Sequence, residues 1–250
     1  LRGLLNREPA REQETPTLRA DELTAHCTTV TTPELVQAVA GAAREGASVE
    51  AVLAAVERIG DGPEFTQVGE KPLPGRPTRF AAVSLLDLER EALRVALIGR
   101  DVGAPRAEPT ALAVAIAASP IRLSGEQRRL VAMATLSPDR VVCAVGVAGA
   151  GKTTALRVLG DVLDRSGVPV LGAAPSGRAA EELAQATRIE AVTLHRLLGE
   201  ATRAGGLPRG CVLVIDEAGM AETRVLSPIL SLAEEAGGKA GRGVSGHGDT

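Results

Sequence analysis

Residues 146–153 read GVAGAGKT and constrain the fold of this chain more than any other segment. They fit the pattern Gly-x-x-x-x-Gly-Lys-Ser/Thr, which joins the end of a buried strand to the start of a helix. An apolar, β-branched run precedes the pattern at residues 141–145, and an amphipathic stretch follows it at residues 154–165. The sequence therefore predicts a strand, a tight loop and a helix at this position.

The composition of this loop predicts phosphate binding. Glycines let the backbone turn successive N–H groups toward one point, and the helix start adds positive potential there. Lys152 is expected to reach the β- and γ-phosphates of a nucleotide, and the Thr153 hydroxyl to bind Mg²⁺. The alternative is a glycine-rich turn without a ligand. The predicted nucleotide-binding residues are Gln127, Gly146, Gly149, Ala150, Gly151, Lys152, Thr153 and Thr154.

A pair of acids is expected to complete the site. The apolar run at residues 211–215 ends in Asp216 and Glu217, and open α/β sheets bind ligands at the carboxyl ends of their strands. Asp216 is expected to hold Mg²⁺ through water, and Glu217 to orient and deprotonate the attacking water. The alternative is an ordinary helix start after a core strand. The predicted catalytic residues are thus Lys152 and Glu217, and the predicted metal ligands are Thr153 and Asp216.

Three further segments narrow the function. The amide of Gln127 can bind the N6/N7 edge of adenine with two hydrogen bonds, or it is a solvated residue of a capped helix. Residues 174–180 (APSGRAA) can hold a DNA phosphate by backbone N–H groups, or form a plain strand–helix loop. Residues 193–198 (TLHRLL) can contact a DNA strand or couple it to the ATP site, or they can contain a packed structural histidine. The DNA-contact candidates are Pro175, Ser176, Gly177, Arg178, Thr193 and His195.

Hydrophobic patterning predicts two structured regions. We expect a linker at residues 1–20, a small, mostly helical, winged-helix-like domain at 21–100, a connector helix at 101–122 and a parallel α/β domain at 123–250. A β-hairpin is expected between residues 65–68 and 78–83, and a helix start at Ser84. For the small domain, DNA contact and simple packing as an accessory domain both remain open.

Composition excludes several classes of function. Phe65 and Phe80 are the aromatic residues, with no Tyr or Trp, which excludes a tyrosine nucleophile and leaves little for base stacking. The net charge of −3 gives no global basic footprint for DNA. No apolar run is long enough to span a bilayer, and the three cysteines form no paired motif. We therefore expect a cytoplasmic protein without a membrane partner.

In this order, the segments resemble the motifs of the first RecA-type lobe of a RecD-like superfamily 1 helicase, a P-loop, AAA-type ATPase. Residues 123–127 (LSGEQ) resemble its adenine-reading motif, GVAGAGKTT motif I, APSGRAAEEL motif Ia, and VLVIDEAGM motif II. Upstream, from about residue 20, the chain resembles the region between the relaxase and helicase parts of conjugative relaxases of the MobF type (the TrwC/TraI family).

This resemblance implies the ATP-binding and ATP-hydrolysing lobe of a DNA helicase, with ATP and Mg²⁺ as cofactors. It implies single-stranded DNA as the partner of the full-length parent and no small-molecule substrate other than nucleotide. A second RecA-like lobe, which supplies an arginine finger in the family, is a further implied partner. Without that lobe we expect slow hydrolysis and no unwinding. The relaxase tyrosine and histidine cluster have no counterpart in this sequence.

The last residues depart from the family pattern. Residues 238–250 read GKAGRGVSGHGDT, with glycines where the family has an aliphatic strand, and Gly248 and Asp249 resemble the start of the family's next motif without the strand that precedes it. The expected fold is therefore an incomplete, C-terminally truncated RecA-like lobe that lacks this strand. Two alternatives remain: a P-loop ATPase of another branch, such as an assembly ATPase or a kinase-like enzyme, and an inactive truncated remnant that at most binds ATP.

Overall fold

The computed structural model of the chain describes residues 18–25, 27–43, 46–69, 77–147 and 151–246. The side chains of residues 146–147, 152–153 and 242–246 lie outside this description. The chain divides into two compact units, Leu1–Asp87 and Leu88–Thr250. This division falls within one helix and differs from the boundary that the sequence places after residue 100, so the predicted domain organisation stays a prediction.

The first unit combines short helices with a small antiparallel sheet. Its strands lie in the order β1-β3-β2, and Phe65 pairs with Ala82, as expected for the predicted hairpin. The elements are α1 (Ala20–Leu23), β1 (Val30–Thr31), α2 (Thr32–Ala42), α3 (Val49–Gly60), β2 (Phe65–Val68), β3 (Arg79–Ala82) and the start of α4 (Val83–Ile98).

Local capping chemistry fixes the helix starts in this unit. The backbone N–H and the hydroxyl of Thr31 both donate to the Glu34 carboxylate at 2.7 Å, which lowers the pKa of Glu34. Ser48 accepts from the N–H of Ala51 at 3.2 Å and caps α3. The third helix that the sequence predicts from Ser84 is present as α4. It begins one residue earlier, at Val83, and the expected cap is wrong, because the Ser84 hydroxyl donates to Asp21 instead.

The second unit is built around a parallel sheet of five strands in the order β4-β8-β7-β5-β6. This architecture confirms the α/β fold class and is that of a RecA-like P-loop lobe. After α4, the elements are α5 (Pro109–Ala118), α6 (Gly125–Leu136), β4 (Val141–Val147), α7 (Lys152–Arg165), β5 (Val170–Ala174), α8 (Gly177–Thr187), β6 (Ala191–Thr193), α9 (Leu194–Ala204), β7 (Val212–Ile215), α10 (Thr223–Glu235) and β8 (Lys239–Gly246).

Helices cover both faces of this sheet. Val212 and Val214 of β7 belong to one buried cluster, with residues of α5, α6 and α7. Leu213 and Ile215 belong to the other, with residues of α4, α9 and α10. A strand that is buried on both faces needs apolar residues at every position, which explains the uninterrupted apolar run before Asp216.

The expectation that a strand is missing from this sheet is wrong. β8 forms at residues 239–246 and pairs in parallel with both β4 and β7, where Gly241 lies opposite Val142 and Val214. Main-chain hydrogen bonds require no side chain, so two flanking strands can hold a glycine-rich segment despite its conformational entropy. The Gly248–Asp249 pair lies outside the described residues.

Lys239, the first residue of β8, is buried, with 1% of its surface exposed. Its Nζ donates to the carbonyl of Ser137 at 2.6 Å. Burial lowers the pKa of Lys239 from 10.5 to about 8, although the charge of Asp139 opposes this shift. Between those pH values the unfolded chain binds more protons than the folded one, so stability rises with pH across this window.

We expect Lys239→Met to stabilise the protein at pH 7 by about 2 kcal/mol, because the charged amine no longer has to be desolvated. The gain should shrink as the pH rises from 8 to 10.5. Urea unfolding followed by circular dichroism, at pH 7 and pH 10 for both proteins, measures the difference. An equal gain at both pH values would contradict the assignment to lysine titration.

Candidate nucleotide site

The strand and the helix that the sequence predicts on either side of the loop are present as β4 and α7. β4 ends at Val147 and α7 begins at Lys152. Gly149 and Ala150 lie outside the described residues, as do the side chains of Lys152 and Thr153. Their roles therefore stay predictions, which rest on the sequence pattern and on the position of the α7 N-terminus.

Gly151 is the turning point between loop and helix. Its φ of 72° is left-handed, and its carbonyl accepts from the N–H groups of Thr154 and Ala155 at 3.1 and 3.3 Å. A Cβ at this position would lie 2.3 Å from Nε2 of Gln127. The backbone conformation therefore favours glycine, and a Cβ at this position would displace the Gln127 amide.

Gln127 contacts this turn directly. Its Nε2 donates to the carbonyl of Gly151 at 3.1 Å, and its Oε1 accepts from the N–H of Ser124 at 2.8 Å. The Ser124 hydroxyl accepts in return from the N–H of Gln127, which completes a capping box at the start of α6. The amide of Gln127 thus links α6 to the first turn of α7, a contact that the sequence reasoning missed.

Replacing Gln127 with alanine is expected to weaken ATP binding by about tenfold and GTP binding by less. The variant removes the support of Gly151, which any nucleotide needs, and also the adenine contact that the sequence predicts; one hydrogen bond contributes about 1 kcal/mol. Calorimetric titrations with both nucleotides measure the two losses. Equal losses for ATP and GTP would leave the support role and rule out adenine recognition by Gln127.

Asp216 and Glu217 follow β7 at the carboxyl end of the sheet. The N–H of Asp216 donates to the carbonyl of Ala173 on β5 at 3.0 Å, and its Oδ1 accepts from the N–H of Glu217 at 2.9 Å. Ile215 pairs with Arg242 of the neighbouring strand β8, and Arg242 pairs in turn with Cys143 of β4. Asp216 therefore lies two strands, about 10 Å, from the strand that leads into the loop.

Glu217 adopts a strained backbone conformation. Its φ of 51° and ψ of 33° are left-handed, which costs a residue with a Cβ about 1 kcal/mol or more. Such strain is concentrated at functional sites, where the surrounding structure holds a side chain in place. Asp101 and Arg188 also have a positive φ, so this conformation does not by itself single out Glu217, whose role stays a prediction.

The DNA-contact candidates fall at the carboxyl ends of two neighbouring strands. β5 and β6 pair so that Ala174 lies opposite Thr193, which brings the two candidate segments together. The hydroxyl of Ser176 accepts from Ala179 and that of Thr193 from Arg196, both at 3.2 Å, so both hydroxyls cap helices. His195 is exposed, which excludes the packed structural histidine.

Two arginines beside these helix caps form ion pairs with glutamates four residues further along the same helix. Arg178 donates to Glu182 at 2.8 Å and Arg196 to Glu200 at 2.7 Å, and these contacts raise the pKa of both arginines. Arg178, Glu182 and Arg196 are largely exposed and Glu200 is partly exposed, so the ion pairs are weak and can exchange for a phosphate. Two helix N-termini and two arginines thus form one anion-compatible edge.

The donor set fits Mg²⁺ and a polyphosphate. A carboxylate at a strand end, a predicted hydroxyl at the helix start and water are the oxygen ligands that Mg²⁺ prefers beside a nucleotide. Within the described ranges, no group of three or more His, Cys, Asp or Glu side chains is close enough to hold a metal by itself.

Among the helices that the structure describes, none is both long enough and apolar enough to cross a lipid bilayer. The longest described helix in the chain, α4, has 16 residues and contains several charges.

Comparisons with known proteins agree with this geometry. Residues 122–244 match the family described as AAA domain. The chain is 31% identical to conjugal transfer protein TraA of Agrobacterium fabrum over 164 residues, which cover 65% of this chain and 15% of that protein. TraA of Rhizobium radiobacter is 30% identical over the same coverage. A probable TraA of Sinorhizobium fredii is 33% identical over 120 residues, 47% of this chain and 11% of that protein.

The chain thus spans about 15% of the length of the first two of these relatives. The match to AAA domains covers α6 and all five strands of the parallel sheet but only the first part of β8. Together, this match and the sheet topology support a P-loop ATPase lobe in this chain.

Proposed function

We propose that the second unit is the ATP-binding and ATP-hydrolysing lobe of a DNA helicase, and that it belongs to a conjugative relaxase–helicase of the MobF type with a RecD-like motor. The observation that carries this proposal is the Gly151 turn at the start of α7, held by Gln127, with Asp216 and Glu217 two strands away at the same edge of the sheet. The similarity to TraA proteins supports the link to conjugal transfer.

In this proposal each residue of the site has a separate role in ATP binding or hydrolysis. Backbone N–H groups from residue 146 to 154 bind the phosphates, and Lys152 contacts the β- and γ-phosphates. Thr153 and Asp216 hold Mg²⁺, which neutralises phosphate charge when bound. Glu217 orients the attacking water and takes its proton. Gln127 fixes the loop and binds the adenine edge.

Single-stranded DNA is the proposed partner at the β5–β6 edge. The helix N-termini after Ser176 and Thr193 would bind phosphates by backbone N–H groups, with Pro175, Gly177, Arg178 and His195 beside them. A second RecA-like lobe of the full-length parent would close the ATP site and supply the arginine finger. We propose that this parent acts in the cytoplasm.

The test of the helicase assignment is stimulation of ATP hydrolysis by single-stranded DNA in the full-length parent. We expect clear stimulation in the parent and reduced stimulation in Arg178→Ala. In this variant the slope of log K for DNA binding against log salt concentration should also be smaller by about one released counterion. Arg165→Ala, at the far end of α7, removes the same charge away from this edge and should leave stimulation unchanged. Hydrolysis that ignores DNA would contradict the helicase assignment.

A P-loop ATPase of another branch remains the second candidate, because the family match is to AAA domains in general. Such an enzyme would hydrolyse ATP without responding to DNA, so the same experiment separates the two. An inactive remnant would not hydrolyse ATP, and at most its thermal unfolding would shift on addition of Mg·ATP.

A further inference from the structure

The strand β4, which leads into the predicted phosphate loop, lies at one edge of the parallel sheet. Among the strands that the structure describes, it pairs with β8 alone. It has seven residues and contains neither a charged residue nor a proline, whereas β6, at the other edge, has only three residues. Short strands, charges and prolines are what natural sheets use to protect an edge, so the free edge of β4 is suited to pairing with a further strand.

One face of β4 is also partly uncovered. Val142 and Ala144 line a small cavity beside α6 and α7 and therefore lie on the face that these helices cover. Because side chains alternate along a strand, Val141, Cys143 and Val145 lie on the opposite face. Val141 packs there against the cluster formed with α4, α9 and α10. Cys143, however, is exposed, and Val145 is 77% exposed. The helices on this face thus leave the second half of β4 bare.

The connections within the sheet indicate what can cover this half. α7 leads from β4 to β5, toward the β6 edge, and packs on one face of the sheet. α9 and α10 lead from β6 to β7 and from β7 to β8, back toward the β4 edge, and both pack on the opposite face. This arrangement is expected when all crossovers between parallel strands have the same, right-handed sense.

The same rule applies to a further crossover that leaves β8 and passes β4. It would run in the direction of α9 and α10, so its helix would lie on their face of the sheet, which is the face where Cys143 and Val145 are exposed. The strand after that helix would reach the free edge of β4. One helix and one strand would therefore cover both the exposed side chains and the unpaired edge.

The relatives show that such a segment can belong to the same polypeptide. This chain spans about 15% of the length of the first two TraA proteins that it resembles. A parallel crossover needs only about a dozen residues or more for its connection. An occupant within one polypeptide is also favoured over a separate protein, because β8 already ends beside β4, with Gly246 paired to Val147.

We propose that, in the full-length parent, the segment that follows β8 forms a helix with an apolar face on Cys143 and Val145, and then a sixth parallel strand on the free edge of β4. This inference rests on the proposed function only in taking the chain as part of a longer, TraA-like protein. The added strand would hold β4 from both sides, and with it the start of the loop that is predicted to bind nucleotide.

The three cysteines of the chain are suitable probes of this arrangement. Cys27 and Cys143 are exposed, whereas Cys211 is buried. In this chain, N-ethylmaleimide should modify Cys27 and Cys143 rapidly and Cys211 slowly. In the full-length parent, modification of Cys143 should be at least about 10-fold slower, because the thiol then reacts only after local opening. Mass spectrometry of the peptides gives the rate at each cysteine, and Cys211 reports whether the sheet is intact in both proteins.

Hydrogen exchange distinguishes a paired strand from a covering helix alone. Successive N–H groups of a parallel strand point to opposite sides, so about half of the β4 amides face the free edge. These amides should exchange rapidly in this chain and slowly in the full-length parent. The amides of β7, which has a strand on each side, should be protected in both proteins and provide the control.

Val145→Asp tests the face directly. In this chain the side chain is exposed, so we expect the Tm to change by no more than about 2 °C, as for other surface substitutions. In the parent the carboxylate would lie beneath the helix, so modification of Cys143 should become severalfold faster. Val49→Asp is the matched control, because Val49 is 70% exposed and lies in the first unit. It should leave the Cys143 rate of the parent unchanged.

Three results would overturn the proposal. The first is equally rapid modification of Cys143 in this chain and in the parent. The second is slow modification of Cys143 in this chain itself, which would show that this face is already covered, by a second copy if the rate falls with protein concentration. The third is protection of Cys143 in the parent without protection of the β4 amides. These measurements need neither ATP nor DNA, so their outcome is separate from that of the helicase assignment.

Discussion

Replacing Lys152 with alanine is expected to weaken Mg·ATP binding at least about 100-fold. The ammonium group is predicted to make charge-assisted hydrogen bonds with the β- and γ-phosphates, and such bonds contribute about 1.5–3 kcal/mol each. A loss of about 3 kcal/mol corresponds to about two orders of magnitude in Kd. Calorimetric titration of parent and variant measures the difference directly.

Arg165→Ala is the matched control for this variant. Arg165 lies in the last turn of the same helix, α7, so its removal changes the net charge equally without touching the loop. We expect its Kd for Mg·ATP to equal that of the parent. If Lys152→Ala also bound as tightly as the parent, the residues assigned to the phosphate cradle would be wrong.

Glu217→Gln is expected to bind Mg·ATP like the parent and to hydrolyse it about 10²- to 10⁴-fold more slowly. Glutamine keeps the size of the side chain and its ability to orient water, but it cannot accept the proton of the attacking water. Binding measured by calorimetry and hydrolysis measured by phosphate release, on the full-length parent, separate the two effects.

Glu222→Gln provides the comparison for the acidic variant. Glu222 lies five positions further along the chain, is exposed, and makes no side-chain cap hydrogen bond at the start of α10. It should hydrolyse ATP at the parental rate. A Glu217→Gln protein with normal hydrolysis would remove Glu217 from the mechanism and leave its left-handed backbone without a functional explanation.

The strongest sequence signals predicted their elements because each came from local chemistry. Burial on both faces makes a central parallel strand uniformly apolar, so residues 211–215 indicated β7 without any tertiary information. The hairpin between β2 and β3 followed from its short apolar runs and the Pro- and Gly-rich connection. The start of α7 followed from the loop pattern itself.

The features that the sequence did not predict depend on long-range packing. β8 has no apolar pattern of its own and forms because β4 and β7 offer hydrogen bonds on both sides. The contact between Gln127 and Gly151 joins residues that are 24 positions apart. The capping pattern around Ser124 was a usable signal for where Gln127 would point, since a capping box holds the side chain of its fourth residue toward the helix start.

Gly241 is another position where the structure depends on long-range packing that the local sequence does not show. The sequence shows glycine where an aliphatic residue is expected, which suggested that the strand would be lost. The structure instead keeps the strand and leaves an unfilled space beside it. Strand propensities describe how well a residue type fits strands on average. Whether a strand forms at one position also depends on the hydrogen bonds and packing that the neighbouring strands and helices provide.

The most direct test of the account is a calorimetric titration of Mg·ATP into this chain, after circular dichroism has established a folded, cooperative structure. The chain has no Tyr or Trp, so heat is a more suitable signal than intrinsic fluorescence. We expect saturable heat with one nucleotide bound per chain. Folded protein that releases no heat with Mg·ATP at any temperature tested would contradict the claim that the loop before α7 binds a nucleotide.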